Sequence, residues 1–541
     1  MPCCILDRDG KQLNRFISAD IAKIDIFFSL KDQTILATVT PSLTTEFHSI
    51  DDLGWWTAAY LTMLSVFQIP YGKLYSLFSI KIVYLSAIGI FELGSLVCAT
   101  APNSIAMIFG RAIAGAGAAG IFTGGIMITT KIIPLDRRAS YLGIMSAAFG
   151  VAAIVGPFIG GAFTDRSTWR WCFYINLPLG GLSILVCFLL VNTPVDSSIA
   201  SLSFWARVRQ FDFFGMVSMM GGIVCLLLAL QWGGTQYPWN SGRIIALLVV
   251  AVLLMVCFVL LQIFAPGSKT VPRSVSRHAS VWHAVGYAMC ITGGIYVAIV
   301  YIPVWVQAVQ HKSALDSGIM LTPLIVGYVV FSVIAGVLTS GVGYYNPPMI
   351  LGTILASVGA GLLSTLSTGT SNGRLIGYQA LYGIGVGLGF GQPSYVVQTV
   401  LSEADIPIGV TLVTLVQHLS SAIFVAVAQG VFQNTLAHTV RSLAPNVDPS
   451  KLTKLGATQL NQYVDAQDMP HVLEAYSTAI ARTLYIPMAL SCASVLGACL
   501  TPWISMKKAK PEPTDKEPTE DERTSDGTKE KGHCSTGVNE A

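Results

Sequence analysis

The feature that most constrains this chain is its division into long apolar runs with few or no charges. They lie at about 25–44, 54–78, 82–101, 104–130, 139–163, 172–192, 211–232, 243–265, 281–304, 315–340, 347–367, 374–400, 406–432 and 478–503. Each is close to the roughly 20 residues that a helix needs to cross the hydrocarbon of a bilayer. Water is absent there, so each run has to satisfy its own backbone hydrogen bonds as a helix. The expectation is an all-α polytopic membrane protein of about 14 spans. Charged residues make up 11% of the chain, against about 25% in soluble domains. A net charge of +3 gives no reason to expect a nucleic-acid partner. The eleven cysteines are scattered, mostly inside apolar runs, with no metal or disulfide spacing. The first 23 residues carry Arg8, Asp9, Lys11, Arg15, Asp20 and Lys23 and lack the apolar core of a cleavable leader.

Lysine and arginine set the orientation. The connections after even-numbered spans carry Lys81, then Lys131, Arg137 and Arg138, then Arg207 and Arg209, then Lys269, Arg273 and Arg277. Those after odd-numbered spans are poorer in both, so the positive-inside rule places both termini in the cytoplasm. The longest outer connection is 433–477, with room for one short helix. The tail from Lys507 on is rich in Pro, Glu, Lys and Thr and reads as disordered.

The chain repeats. Gly72-Lys-Leu74-Tyr-Ser76 near the end of span two matches Gly336-Val-Leu338-Thr-Ser340 in span ten. Gly115-Ala-Gly117 in span four matches Gly383-Ile-Gly385 in span twelve. Both matches shift by eight spans. This predicts an N-terminal six-helix bundle at 24–192 and a C-terminal one at 281–505. Two inserted helices at 211–265 sit between linkers 193–210 and 266–280, with tails at 1–23 and 506–541. Parallel repeats facing a shared cavity are a transporter architecture. Span five holds the densest run of helix-weakening residues, Gly150, Gly156, Pro157, Gly160 and Gly161. In water each Gly would cost about 1 kcal/mol and the Pro about 3. In a bilayer such a run reads as a bent span packed closely on another, a candidate hinge.

Several strings together resemble the major facilitator superfamily, in its 14-span drug:proton antiporter branch. Asp32-Gln-Thr34-Ile-Leu-Ala-Thr-Val-Thr-Pro41 is similar to the first-span signature. Gly72 to Lys81 occupies the cytoplasmic loop motif, in which Gly72, Lys73 and Lys81 would gate, although Ser76 stands where an acidic residue is usual and Ser79 where Gly is. Phe109-Gly-Arg111 through Gly117 is similar to the fourth-span arginine motif, Gly150–Gly161 to the antiporter motif, and Trp169-Arg-Trp171 through Asn176-Leu-Pro178 to the entry of span six. The resemblance implies a proton-coupled exporter of drugs or fungal toxins. No cofactor is implied, the proton gradient being the driving force. The implied partners are the bilayer, protons and a small organic solute. The expected form is a monomer, and the expected membrane the plasma membrane, with the vacuolar membrane as the alternative.

A charge inside a span costs at least about 2.5–3.5 kcal/mol. Arg111 is therefore a candidate for proton coupling, holding a nearby acidic or polar group, since it cannot itself release a proton. Its other reading is an Arg satisfied by backbone carbonyls. Asp32 is either a proton-carrying carboxylate or, beside Lys31, a site near the membrane surface. Glu92 in span three is either a second proton carrier or a carboxyl bonded to a neighbouring helix. His418 could titrate, or simply pack. Span twelve has Gln379 where span four has Arg111, so the halves are chemically unequal. Gln68, Tyr301, Gln307, Tyr378, Gln379, Gln392, Tyr395, Gln398 and Gln417 are candidate cavity residues, suited to a neutral or amphipathic solute, and each could instead bond between helices. The alternatives to export are a proton-coupled importer of siderophores or sugars and a non-transporting sensor. An enzyme is not expected, because no catalytic cluster or phosphate-binding loop appears.

Overall fold

The computed structural model describes residues 25–32; 35, 36, 39, 42, 43, 46 and 47; 53–190; 203–264 save 235; 269–445; 447; and 464, 465 and 467–506. The tail 1–23, part of each linker and the residues beyond 506 lie outside these. Among the described residues the chain is helical, with one isolated bridge, Gly233 to Tyr237, in the turn after span seven. Spans two to five are Leu53–Leu77, Ile80–Ala99, Ser104–Ile132 and Leu135–Arg166. Span six is Trp171–Tyr174 with Asn176–Leu190. Spans seven to nine are Phe213–Trp232, Gly242–Phe264 and Ala279–Val309. Span ten is Ala314–Met320 with Thr322–Val342, and span eleven is Asn346–Leu363. Span twelve is Asn372–Phe390 with Gln392–Val400, and span thirteen is Ile406–Leu443. The described residues of the first run are helical from 25 on. Local chemistry starts these helices where it should. Asn103 accepts from the Ala106 amide ahead of span four, and Asp212 from the Gly215 amide ahead of span seven.

Ten described helices are long and apolar enough to cross a membrane. Spans two and twelve fall short on apolarity, not on length, because Gly, Ser, Tyr and Gln dilute them. One boundary expectation is corrected. The outer connection at 433–477 is largely helical at both ends, since span thirteen runs on to Leu443 and the last span begins at Met469, as Met469–Thr483 followed by Tyr485–Leu500. Phe432, Leu436 and Val440 recur every four residues and pack with Val472, Ala475, Tyr476 and Ala479. Polar neighbours such as Gln433, His438 and Arg441 mask that stripe in a simple hydropathy reading.

The repeat seen in the sequence is a repeat of contacts. A Cβ on Gly115 would lie 2.2 Å from the Tyr60 carbonyl oxygen of span two, and one on Gly383 would lie 2.2 Å from that of Leu324 in span ten. Gly117 meets the Phe91 amide of span three as Gly385 meets the Ala356 amide of span eleven. Spans four and twelve are thus seated in the same way between their neighbours, by glycines that let backbones touch. Spans seven and eight pack on each other, with span seven against the outside of span two.

The two repeats meet through spans five with ten and two with thirteen. At the end that carries the connections after even-numbered spans these seams are shut. A Cβ on Gly72 would lie 2.4 Å from Thr411 Oγ1, and one on Gly336 would lie 2.4 Å from the Ala139 carbonyl oxygen. Ser140 Oγ and Ser340 Oγ are 3.0 Å apart, and Tyr395 donates to the Ala139 carbonyl at 2.9 Å. Lys131 pairs with Glu403 at 2.9 Å. The hydrogen bond and charge of Lys131 hold the Glu403 carboxyl below the usual carboxylate range. That contribution is present at neutral pH and is lost as pH falls through the lowered value. At the opposite end two apolar clusters stay separate, one around Trp56 and Trp169, the other around Leu436 and Tyr476. Substituting Gly336 with Ala should therefore weaken the shut end by about 1–3 kcal/mol. At least fivefold faster thiol labelling of a cysteine placed at Ser340 would report it, and unchanged labelling would show that Ala139 gives way.

Candidate functional site

Arg111 is fully buried, one turn before the glycines that seat span four. Its Nη1 lies 2.5 Å from Asp32 Oδ2, its Nε donates to the Trp56 carbonyl at 3.0 Å, and its guanidinium lies 4.3 Å from the centre of the Tyr60 ring. A carboxylate and backbone carbonyls thus share the Arg111 guanidinium. The side chain of Asp32 is enclosed by protein. It is fully buried, and so is Lys31 beside it. Asn176 joins them, with Nδ2 donating to Asp32 Oδ1 at 3.0 Å and Oδ1 accepting from Lys31 Nζ at 2.9 Å. Asp32 therefore has both carboxylate oxygens occupied. Glu92 does not: its Oε2 is buried without a partner, against Gly180, where a Cβ would lie 1.9 Å from Oε1. The entry of span six, which carries Asn176, is pinned by Glu46, which accepts from Trp169 Nε1 at 2.5 Å and Arg170 Nη1 at 2.8 Å.

Between the repeats lies a cavity lined by both of them. Leu64, Phe122, Ile126, Leu142 and Met145 give its N-terminal wall an apolar surface, with Ser29 as the polar exception. The C-terminal wall holds Thr292, Tyr296, Tyr328, Ser394, Tyr395, Thr414, Gln417 and His418. Among the described residues no Lys, Arg, Asp or Glu lines it, and neither do spans seven and eight. A line of contacts joins the cavity to the ion pair: Ser29 Oγ lies 3.0 Å from the Tyr60 hydroxyl, and the Tyr60 ring faces Arg111.

Of the candidate cavity residues, Tyr395 and Gln417 line it. The others are placed elsewhere. Gln392 bonds to Thr339 Oγ1 and the Leu388 carbonyl, Gln307 to Ser317, and the Tyr301 ring packs on Phe432. Tyr378 packs on the main core. Gln68, Gln379 and Gln398 are buried with neither amide atom partnered. Gln68 lies one turn from Leu64 of the cavity and one turn from Gly72 of the shut seam, on one helix face. His418 faces the cavity rather than a packed interface. Sequence reasoning passed over Thr292, Tyr296, Tyr328 and Asn176; only Asn176 carried a signal, as part of the span-six motif.

In the loop motif, Gly72 forms the shut seam. Lys73 donates to the Lys269 carbonyl at 3.2 Å, and Lys81 to that of Phe188 at 2.5 Å, so Lys81 acts within its own repeat. In span five, the seat against span ten is made by Gly143 and Gly150. A Cβ on Gly150 would lie 1.9 Å from Val329 Cγ2. Gly156 and Gly160 are buried off that line, the Gly160 carbonyl accepting from Thr164 and Cys172 of the same repeat. Pro157 and Gly161 lie in the same helix, with their surroundings outside the described residues. Replacing Arg111 with Ala would leave Asp32 buried against one neutral partner and Lys31. The cost should be about 3–5 kcal/mol, read as lowered thermal stability in detergent. Adding Asp32→Asn should recover part of it; no recovery would mean that Arg111 acts mainly through Trp56 and Tyr60.

A model of the Major Facilitator Superfamily matches residues 26–211. The chain is 45% identical over 487 residues to an MFS thioclapurine efflux transporter of Claviceps purpurea, covering 90% of each. It is 42% identical over 487 residues to an efflux pump of Penicillium rubens, again covering 90% of each. Among solved structures it resembles a proton:xylose symporter, with TM-score 0.58, 14% identity and coverage of 92% of this chain and 98% of that one. It also resembles a human organic anion transporter, with TM-score 0.56, 12% identity and coverage of 88% and 99%. Paired repeats around one cavity, a buried arginine in span four and relatives of this identity over nine-tenths of the length lead to one conclusion: the chain belongs to the major facilitator superfamily.

Proposed function

We propose that this protein is an efflux transporter, not an enzyme, which exports small, mostly apolar organic compounds in exchange for protons by alternating access. The N-terminal bundle 24–192 and the C-terminal bundle 281–505 rock about the central cavity, with 211–265 as a peripheral pair. The protein works as a monomer in the plasma membrane with both termini in the cytoplasm, so the shut end is the cytoplasmic one. The solute class rests on the cavity. A lining that among the described residues holds no Lys, Arg, Asp or Glu, half apolar and half hydrogen-bonding, suits a neutral or amphipathic molecule. The relatives named as efflux pumps support the direction.

The observation that carries the reading is the line Ser29–Tyr60–Arg111–Asp32, which runs from the cavity wall to a buried ion pair. A solute that displaces Ser29 shifts the Tyr60 hydroxyl, and Tyr60 covers the guanidinium. Asp32, bonded on both oxygens, is the anchor. Glu92, with a free buried oxygen, is the better-placed proton acceptor, and Lys31 is the second cation of the site. Two bulk phases at different pH drive the exchange, with no bound cofactor.

The test is purified protein in liposomes with an imposed pH gradient, offered dyes, azoles and fungal toxins. Uptake that depends on the gradient is expected, and uptake indifferent to it would overturn proton exchange. Tyr60→Phe should keep solute binding within about twofold while coupled flux falls about tenfold, the pattern of a lost switching contact. Arg111→Lys should lose flux as well, because a point charge cannot hold Asp32 and the Trp56 carbonyl together.

A further inference from the structure

The inserted pair does more at the shut end than pack on span two. Asp212 caps span seven by accepting from the Gly215 amide on Oδ1 at 2.8 Å. Its other oxygen is taken by the end of span eight and the segment after it. Oδ2 accepts from Gln262 Nε2, from Thr270 Oγ1 at 2.9 Å and from the Thr270 amide at 3.3 Å. Gln262 Oε1 in turn accepts from the Val271 amide at 3.1 Å, and Lys269 Nζ donates to the Ile263 carbonyl at 3.1 Å. Residues 269–271 are thereby fastened to the inserted pair. On their other side the Lys269 carbonyl accepts from Lys73 Nζ of span two at 3.2 Å. Lys73 is buried, next in the chain to Gly72 of the seam. The carboxylates that act on it are Asp212 and, from the C-terminal repeat, Asp405 ahead of span thirteen. Ser76 brings it no charge and donates its hydroxyl to the Lys73 carbonyl at 2.8 Å. Beyond 271 the chain stays on the core, with Val275 fully buried, and enters span nine at Ala279.

We propose that Asp212 is a positioning residue of the shut end: it fixes 269–271 for Lys73 and so makes 269–278 a strap between span two and span nine. The two ends of the strap belong to different repeats. One is gripped by Lys73 of the N-terminal repeat, and the other continues into the C-terminal repeat as its first helix. Span nine packs on span thirteen, so parting span two from span thirteen pulls on the Lys73 contact. A loose segment would have to be ordered each time that contact formed, and ordering costs entropy. Asp212 holds the segment ready, so the contact forms without that cost. An interaction made in one of two states shifts the balance toward it. The strap rests on the shut seam seen here and is independent of the direction of transport or its driving force.

The experiment is amide hydrogen exchange on the full chain in phosphatidylcholine nanodiscs, with 136–143 and 336–343 reporting the seam and 216–230 reporting span seven. Asp212→Asn keeps one oxygen for the Gly215 amide, and asparagine caps a helix as well as aspartate does. Exchange in span seven should therefore match that of the unsubstituted chain. The second oxygen becomes an amide nitrogen, which cannot accept from Gln262 or Thr270. Seam exchange should rise about tenfold, the effect of losing one hydrogen bond to a charged group. Thr270→Val removes one donor without touching span seven and should give a rise of about threefold. Lys73→Met should speed seam exchange too, and adding Asp212→Asn to it should bring no further rise, because both act through one contact. Unchanged seam exchange in Asp212→Asn with span seven intact would overturn the proposal. If span seven loosens in that variant, unchanged seam exchange in Thr270→Val would do so instead. A further rise in the double variant would also overturn it.

Discussion

A guanidinium cannot shed its proton, so an arginine placed inside a bilayer has to be met by a carboxylate or by backbone carbonyls. The N-terminal repeat is built around meeting that need at Arg111. The partner, Asp32, comes from span one, a backbone carbonyl from span two, and the aromatic face from Tyr60 one turn further on. Removing a buried charge's partner costs far more than the pair itself contributes, so these spans are fixed relative to one another. Asn176 extends the arrangement to span six, and through Asn176 a second cation, Lys31, is tolerated in the interior. Trp169 and Arg170, clamped on Glu46, hold the segment that delivers Asn176. One unavoidable charge thereby orders the first, second, fourth and sixth spans.

The C-terminal repeat copies the backbone seats and not the chemistry. Gly383 and Gly385 reproduce the contacts of Gly115 and Gly117, while Gln379 stands where Arg111 would be, with neither amide atom partnered. Freed from an ionic centre, this repeat supplies most of the polar wall of the cavity. A shared skeleton with divided chemistry lets one repeat hold charge and the other give the cavity most of its polar groups.

Much of this was legible in the sequence. The spans follow from hydropathy, and the repeat from two glycine strings that turn out to be paired helix seats. The buried state of Arg111 follows from its depth in span four. The burial of Lys31 was not legible, because an exposed lysine and one tied to Asn176 look identical without the partner, which lies far away in the chain. The glutamines divide for a related reason, Gln417 lining the cavity and Gln392 bonding within its own repeat: a polar residue on a span says that something polar or close-packed is near, not which side of the helix faces the cavity. In span five the density of glycine and proline marked Gly150, Gly156, Pro157, Gly160 and Gly161; of these Gly150 makes the seat against span ten, together with Gly143, whose spacing of seven keeps the two on one face. The amphipathic ends of spans thirteen and fourteen were hidden because hydropathy averages over both faces of a helix.

The seams at Gly72 and Gly336 are made mostly of atoms in van der Waals contact, with a few hydrogen bonds and one exposed ion pair. Dispersion is short in reach: a gap of about 0.5–1 Å already forfeits a quarter to a half of its well. Force across such a seam does not build gradually with displacement. It holds almost fully until the backbones part and then vanishes, as in a snap fastener rather than a spring. Partly opened forms are therefore sparsely occupied, and the molecule spends its time at the ends of its travel. For a carrier this has a practical meaning: leakage, which needs both ends ajar together, is suppressed by the steepness of the contact rather than by its strength.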